Sequence, residues 1–233
     1  MNVYCRNQKA AFTEYPPLAE GSSLLDVYDP MLALRADFLD ESVTIRGDYG
    51  KAAPMDSLCL GLTNAFRYRL ETREGVFAGT INGLITIHDF DETVFTDYFI
   101  LELEGIEDPL YLGHLFLGQK TVLPRFAVEP ETGITLASES GRSFGGQAFG
   151  MRRKTLESFS AKFPRLTVGE RETVIDYVNA VLNVEPHIID PYPKARDEFP
   201  PMYATLNIGE VSMQKRNENG FYYSGSLSWQ EAK

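Results

Sequence analysis

The sequence predicts a mainly β protein of two β-sandwich-like domains, 1–126 and 127–233, the second carrying one α-helix. Three observations lead there. Short runs rich in β-branched and aromatic residues fill residues 43–118, with no helical periodicity between them. A proline-marked stretch, "TVLPRFAVEPETG" (121–133), then interrupts the pattern. Beyond it a single segment has helical spacing and a start signal.

The runs of the first domain are "VTIRG" (43–47), "LCLGL" (58–62), "FRYRL" (66–70), "LITIHDF" (84–90), "YFILELEG" (98–105) and "LYLGHLFLG" (110–118). In the fifth, Phe99, Leu101 and Leu103 alternate with Ile100, Glu102 and Glu104. That period of two places one face in a core and leaves the other mostly wet. Six strands without intervening helices imply an antiparallel sandwich.

In the second domain "KTLESFSAKF" (154–163) reads as a strand with Phe159, Ala161 and Phe163 on one face. Thr167 and Glu170 form a T-x-x-E capping box. Val174, Ile175, Val178, Val181 and Leu182 follow at helical spacing, with Asn183 as an end cap. A proline-rich loop (185–201) leads to a closing hairpin, "YATLNIGEVSMQK" and "GFYYSGSLSWQEA", turned at Asn219-Gly220. Phe221, Tyr223, Leu227 and Trp229 share a face of the last strand, so the single tryptophan is expected in the core.

The 233 residues include 22 basic and 33 acidic ones, a net charge of −11. Such a chain lacks the clustered cations that neutralise nucleic-acid phosphates. Residues 1–126 carry −9 of that charge and residues 127–233 carry −2. Cys5 and Cys59 make no disulfide framework or zinc cluster, and two reduced thiols are the expectation. No segment has signal-peptide or membrane-span character, so a soluble protein made in a cytoplasm is expected.

"SGRSFGGQAFGMRR" (140–153) sets glycines beside arginines, the composition of a phosphate-binding loop. Neither the P-loop spacing nor the dinucleotide fingerprint is met, and the next segment alternates as a strand. His88 lies in "TIHDFDE", where an acidic turn is expected rather than a metal site. His114 reads as a strand residue. No nucleophile motif occurs. The sequence therefore assigns no catalytic, cofactor-binding or metal-ligating residue, and neither an enzyme nor a cofactor is expected.

Read in order, these motifs form a resemblance. "DSLCLGLTNAFRYRLETREGVFAGTINGLITIHDF" and "FILELEGIEDPLYLGHLFLGQKTVLPRF" resemble the N-terminal sandwich of distal-tail and tail-tip (minor tail) structural proteins of long-tailed bacteriophages and prophages. The pattern is a strand ending in G-x-x-N, here "LGLTN", followed later by a closing strand and a proline exit. "SFGGQAFGMRRKTLESFSAKF", "LTVGERETVIDYVNAVLNVEPHIIDPYP" and "FYYSGSLSWQEA" are similar to the loop, helix and last strand of the same group. The likeness covers most of residues 25–231 and does not extend to residues 1–24.

The resemblance implies a jelly-roll or discoidin-like first domain and a tail-assembly second domain. It implies a virion protein assembled in the host cytoplasm, linking tail tube to baseplate or central fibre, with tube, hub and tape-measure proteins as partners. Six or three copies would form a ring, without specific nucleic-acid binding or membrane insertion. Arg142, Phe144, Phe149, Arg152, Arg153, Tyr192 and Phe199 are then the candidate subunit interface. The competing reading is a carbohydrate-binding module contacting host surface glycans, with Tyr98, Tyr111, Tyr192 and Tyr203 as stacking candidates. A third is a small hydrolase using two carboxylates.

Overall fold

The structure, a computed structural model, describes residues 1–5, 7, 10–25, 35–105, 109–127, 131–136, 139–142, 148–151, 155–181, 185–207, 214–217 and 221–232. It is mainly antiparallel β, with one helix among the described residues. The chain divides into two compact units. The first holds residues 2–122 and 187–201; the second holds Met1, 123–186 and 202–233.

In the first unit the strands are β1 (Asn2–Tyr4), β2 (Ala11–Glu14), β3 (Ala36–Asp37), β4 (Ser42–Thr63), β5 (Ala65–Thr72), β6 (Gly75–Thr80), β7 (Ile85–Gly105), β8 (Tyr111–Gly118) and β9 (Thr121–Val122). The main sheet runs β3-β8-β4-β7-β5-β6, with β2 on the edge of β4. The sequence separates "VTIRG" from "LCLGL", and "LITIHDF" from "YFILELEG". The structure joins each pair into one strand, of 22 and 21 residues. These two long strands form a ladder bent back on itself. Residues 42–48 pair with 98–104, and residues 57–61 pair with 85–89. Register shifts fall between Asp48 and Ala53 and between Met55 and Ser57. Extra residues at such points bend a sheet. Pro54 sits in this irregular corner, where a missing N–H costs the ladder little.

The bend makes the two layers of a sandwich. Val43, Ile45, Leu101 and Leu103 come from one layer, Leu58, Leu60, Leu115 and Leu117 from the other, and all join one buried cluster. Full burial of each such side chain contributes roughly 1.5–3 kcal/mol. Phe99, Leu101 and Leu103 are buried as their alternation predicts. Their neighbours Glu102 and Glu104 face outward, where Arg69 and Arg67 meet them. Across the layers, the Tyr68 hydroxyl and His88 Nδ1 lie 2.6 Å apart.

The 187–201 segment corrects the expected division at 126/127, which placed it in the second domain. Its strand β14 (His187–Asp190) pairs with β1, which also pairs with β9, so the segment belongs to the first unit. The N-terminal strands β1 and β2, and β6, were not legible as strands, being short or interrupted by glycine.

In the second unit β13 (Thr155–Leu166) pairs on one side with β10 (Glu131–Leu136) and on the other with β17 (Phe221–Glu231). The far side of β17 takes β15 (Met202–Leu206) and β16 (Gln214–Asn217), so the run expected as one strand from Tyr203 to Lys215 is two. The helix α1 (Val168–Val181) starts on the capping box. Thr167 N–H and hydroxyl each donate to Glu170 Oε2 at 2.8 Å, and Glu170 N–H donates to Thr167 Oγ1 at 3.3 Å. The helix buries Val174, Tyr177 and Val181, while Ile175 and Val178 are only partly covered. Trp229 is fully buried and donates from Nε1 to the Tyr177 hydroxyl at 2.7 Å. Leu182, Asn183, Asn219 and Gly220 lie outside the described residues.

Candidate functional site

The G-x-x-N motif builds one end of the first unit. Gly61 pairs with His114 and Thr63 with Leu112, which sets Leu62 opposite Gly113. Leu62 has a φ of 52°, a conformation a leucine adopts only when its surroundings impose it. A Cβ placed on Gly113 would lie 2.7 Å from the Leu62 Cβ, so only glycine lets the two strands meet there. The glycine of "YLGHLFLG" thus answers the leucine of "LGLTN". Asn64 then clamps the start of β8. Its Oδ1 accepts from Tyr111 N–H at 2.8 Å, and its Nδ2 donates to Pro109 O at 3.0 Å. Thr63 Oγ1 donates to Tyr111 O at 2.6 Å and accepts from Ala65 N–H at 3.1 Å.

This clamp fixes Tyr111, whose ring supports an exposed arginine. The Arg35 guanidinium lies over the Tyr111 ring, 4.9 Å from its centroid. Arg35 Nε is 2.9 Å from Asp37 Oδ1, with 59% of the arginine side chain exposed. The Asp37 backbone is held too. Its N–H donates to Ser22 Oγ at 3.2 Å, its carbonyl accepts from Ala19 N–H at 2.8 Å, and β3 sets Asp37 opposite Tyr111. The result is an exposed guanidinium over an aromatic ring with a partly buried carboxylate beside it. Leu62 and Leu84, 46% and 74% exposed, lie at the same end of the ladder, where Leu62 N–H donates to Leu84 O.

A second polar cluster lies on the outer side of the layer formed by β8, β4 and β7. Asp89 accepts from Tyr4 Oη at 3.1 Å, Lys120 Nζ at 2.8 Å and Arg196 Nη2 at 2.5 Å. Arg196 also donates from Nε to Asp190 Oδ2 at 2.8 Å, and the Asp190 side chain is closed to solvent. Burial pushes Asp89 up, but the hydrogen bonds and charges of Lys120 and Arg196 outweigh it and hold the carboxyl below the ordinary value. Burial wins at Asp190, whose carboxyl is raised although Arg196 pairs with it. Burial also raises the neighbouring Tyr4 hydroxyl and Cys59 thiol. This network fastens the 187–201 segment to β7. It brings together two carboxylates, yet both are engaged by one arginine.

The sequence expected "DFDET" to form a solvated acidic turn. It lies within β7, with Asp89 in the network just described, because the strand runs on through the bend. His88 is half-buried on the same strand, and burial lowers its ring below the ordinary histidine value. His114 is buried, and desolvation with the neighbouring His187 lowers it to about 4. Both cysteines are buried free thiols.

Of the candidate interface residues, Tyr192 and Phe199 come together, with ring centroids 4.6 Å apart and Phe199 42% exposed. Arg142 and Phe149 lie on an antiparallel pair of strands, β11 (Glu139–Arg142) and β12 (Ala148–Met151). Their side chains, and residues Phe144, Arg152 and Arg153 altogether, lie outside the described residues. Two of the sugar-stacking candidates lie at opposite ends of the first unit. Tyr98 sits at the bend of the first unit under Arg46, Tyr111 at the opposite end, and Tyr203 in the second unit. Burial pushes the Tyr203 hydroxyl up to about 12. Arg35 and Asp37 carry no signal in the sequence, because they flank no motif; only the fold brings them to Tyr111.

No protein-family model matches the chain, and no curated protein does. Among solved structures, the family 32 carbohydrate-binding module from Streptococcus pneumoniae EndoD matches with a TM-score of 0.40 and 10% identity, over 50% of this chain and 99% of that one. The family 32 module from C. perfringens NanJ, in complex with galactose, matches with a TM-score of 0.40 and 11% identity, over 50% and 98%. SpGH29 matches with a TM-score of 0.41 and 12% identity over 47% of this chain, which spans only 26% of that protein. At such scores these likenesses carry no argument about function, which rests on the side-chain geometry.

Proposed function

We propose that the first unit is a carbohydrate-binding module and that its sugar contact is the end built by Asn64, Tyr111, Arg35 and Asp37. The observation that carries this reading is the Arg35 guanidinium, pinned over the Tyr111 ring beside the Asp37 carboxylate. Sugar hydroxyls both donate and accept, so a paired donor and acceptor on a rigid, exposed support suits them. Because the clamp and the ring already restrain these groups, little ordering entropy remains to be lost on binding. The test is retention on immobilised glycans. The intact chain should bind saturably, and Arg35→Ala and Tyr111→Ala should lose at least tenfold in affinity while keeping their melting transitions. Equal binding by the variants would remove the site; no retention of any glycan would remove the function.

A second reading is supported by the order of the sequence motifs. The chain would be a virion structural protein of the phage distal tail or tail tip, a ring subunit in six or three copies beside tube, hub and tape-measure proteins. The partly exposed Tyr192–Phe199 pair suits its subunit contact. Tyr192→Ser/Phe199→Ser, or Arg152→Glu/Arg153→Glu, should give folded protein that does not join tails. Normal incorporation of both variants into virions would refute the contact.

A further inference from the structure

We propose that the Arg35–Asp37 site selects neutral sugars presenting two adjacent hydroxyls and rejects glycans that carry carboxylates. This rests on the carbohydrate-binding reading above. Arg35 Nε lies 2.9 Å from Asp37 Oδ1 in an ion pair. Among the described residues, its two terminal nitrogens and Asp37 Oδ2 have no hydrogen-bond partner. Among the described residues the pair therefore offers donors next to an acceptor. Adjacent hydroxyls match that arrangement: one accepts from a guanidinium N–H while the other donates to the carboxylate oxygen.

An exposed arginine alone would favour an acidic sugar, since guanidinium and carboxylate pair bidentately. Here the pairing argues the other way. Asp37 already neutralises Arg35, so a ligand carboxylate gains less there than at an unpaired arginine. The wider field adds to this, because residues 1–126 carry 10 basic and 19 acidic groups. That excess repels anionic ligands at a distance and fades with salt.

Matched pairs of oligosaccharides with and without a terminal sialic or glucuronic acid test the selection. The intact protein is measured at low and high salt beside Asp37→Asn, which is nearly isosteric and leaves the backbone bonds of residue 37 in place. The neutral member should bind at least tenfold tighter, and Asp37→Asn should weaken neutral binding and narrow the gap, as should added salt. Equal or tighter binding of the acidic members overturns the selectivity but leaves the module reading standing. An unchanged preference in Asp37→Asn removes Asp37 from the site. Failure to retain either member overturns the module reading itself.

Discussion

Removing Trp229 should unfold the second unit at markedly lower denaturant. The indole is fully buried on β17, opposite Phe159 on β13 and Leu206 on β15. It meets the Phe159 and Tyr177 rings at centroid distances of 5.8 and 6.5 Å. Truncating a buried tryptophan to alanine costs about 3–5 kcal/mol, because the cavity left behind relaxes only partly. The lost Nε1–H bond to Tyr177 adds about 1 kcal/mol. With a urea slope of about 2 kcal/mol/M, the midpoint of Trp229→Ala should fall by about 2 M or more. Trp229→Phe keeps most of the packing and loses the bond, so it should fall between the two. The chain has no other tryptophan, so the melts are followed by far-ultraviolet circular dichroism rather than fluorescence. A double-mutant cycle with Tyr177→Phe then isolates the bond. If Trp229→Ala kept the original midpoint, the indole would not be a core residue. If Trp229→Phe cost as much as alanine, packing would not be the main term.

Asn64→Ala should cost roughly 1–3 kcal/mol, since Tyr111 N–H and Pro109 O lose their partner together, and thermal melts read the change. It should also weaken glycan retention, because Tyr111 supports Arg35. Gly113→Ala should destabilise by about 1–3 kcal/mol through the clash with Leu62, and Leu62→Gly should restore most of that loss in the double variant. Equal costs for Gly113→Ala with and without Leu62→Gly would place the strain elsewhere. His114 supplies a pH test. Its folded value of about 4 lies below the unfolded value of about 6.5, so the unfolded chain binds the extra proton. Stability should therefore fall as pH drops from about 6.5 to 4, by up to about 3 kcal/mol, and the slope should flatten in His114→Gln. An identical pH profile in that variant would assign the slope to other groups.

The local patterns that sequence determines here are those in which neighbours along the chain set the outcome. Thr167 and Glu170 are three residues apart and close their capping box without help from elsewhere. Phe99, Leu101 and Leu103 are buried because a strand alternates its faces wherever it lies. Phe159, Ala161, Phe163 and Trp229 follow the same rule. Tyr177 is not legible as a core residue, because its polar hydroxyl breaks the apolar stripe, and only Trp229, 52 residues away, explains its burial.

Tertiary structure decided where strands continue, which unit owns a segment and where the site lies. "VTIRG" and "LCLGL" look separate because polar and proline residues stand between them. They form one strand because the corner of a sandwich tolerates Gly50, Pro54 and register shifts that a flat ladder would not. The 187–201 loop joins the first unit because β14 finds β1 and because Arg196 finds Asp89, 107 positions earlier in the chain. Gly113 requires Leu62, and Tyr111 requires Arg35, only after β8 is laid beside β4 and β3. Sequence carries the periodicity of each strand, because side chains alternate along the chain. The choice between strand neighbours depends on burial and hydrogen bonding summed over the whole sheet, and that sum exists only in the folded molecule.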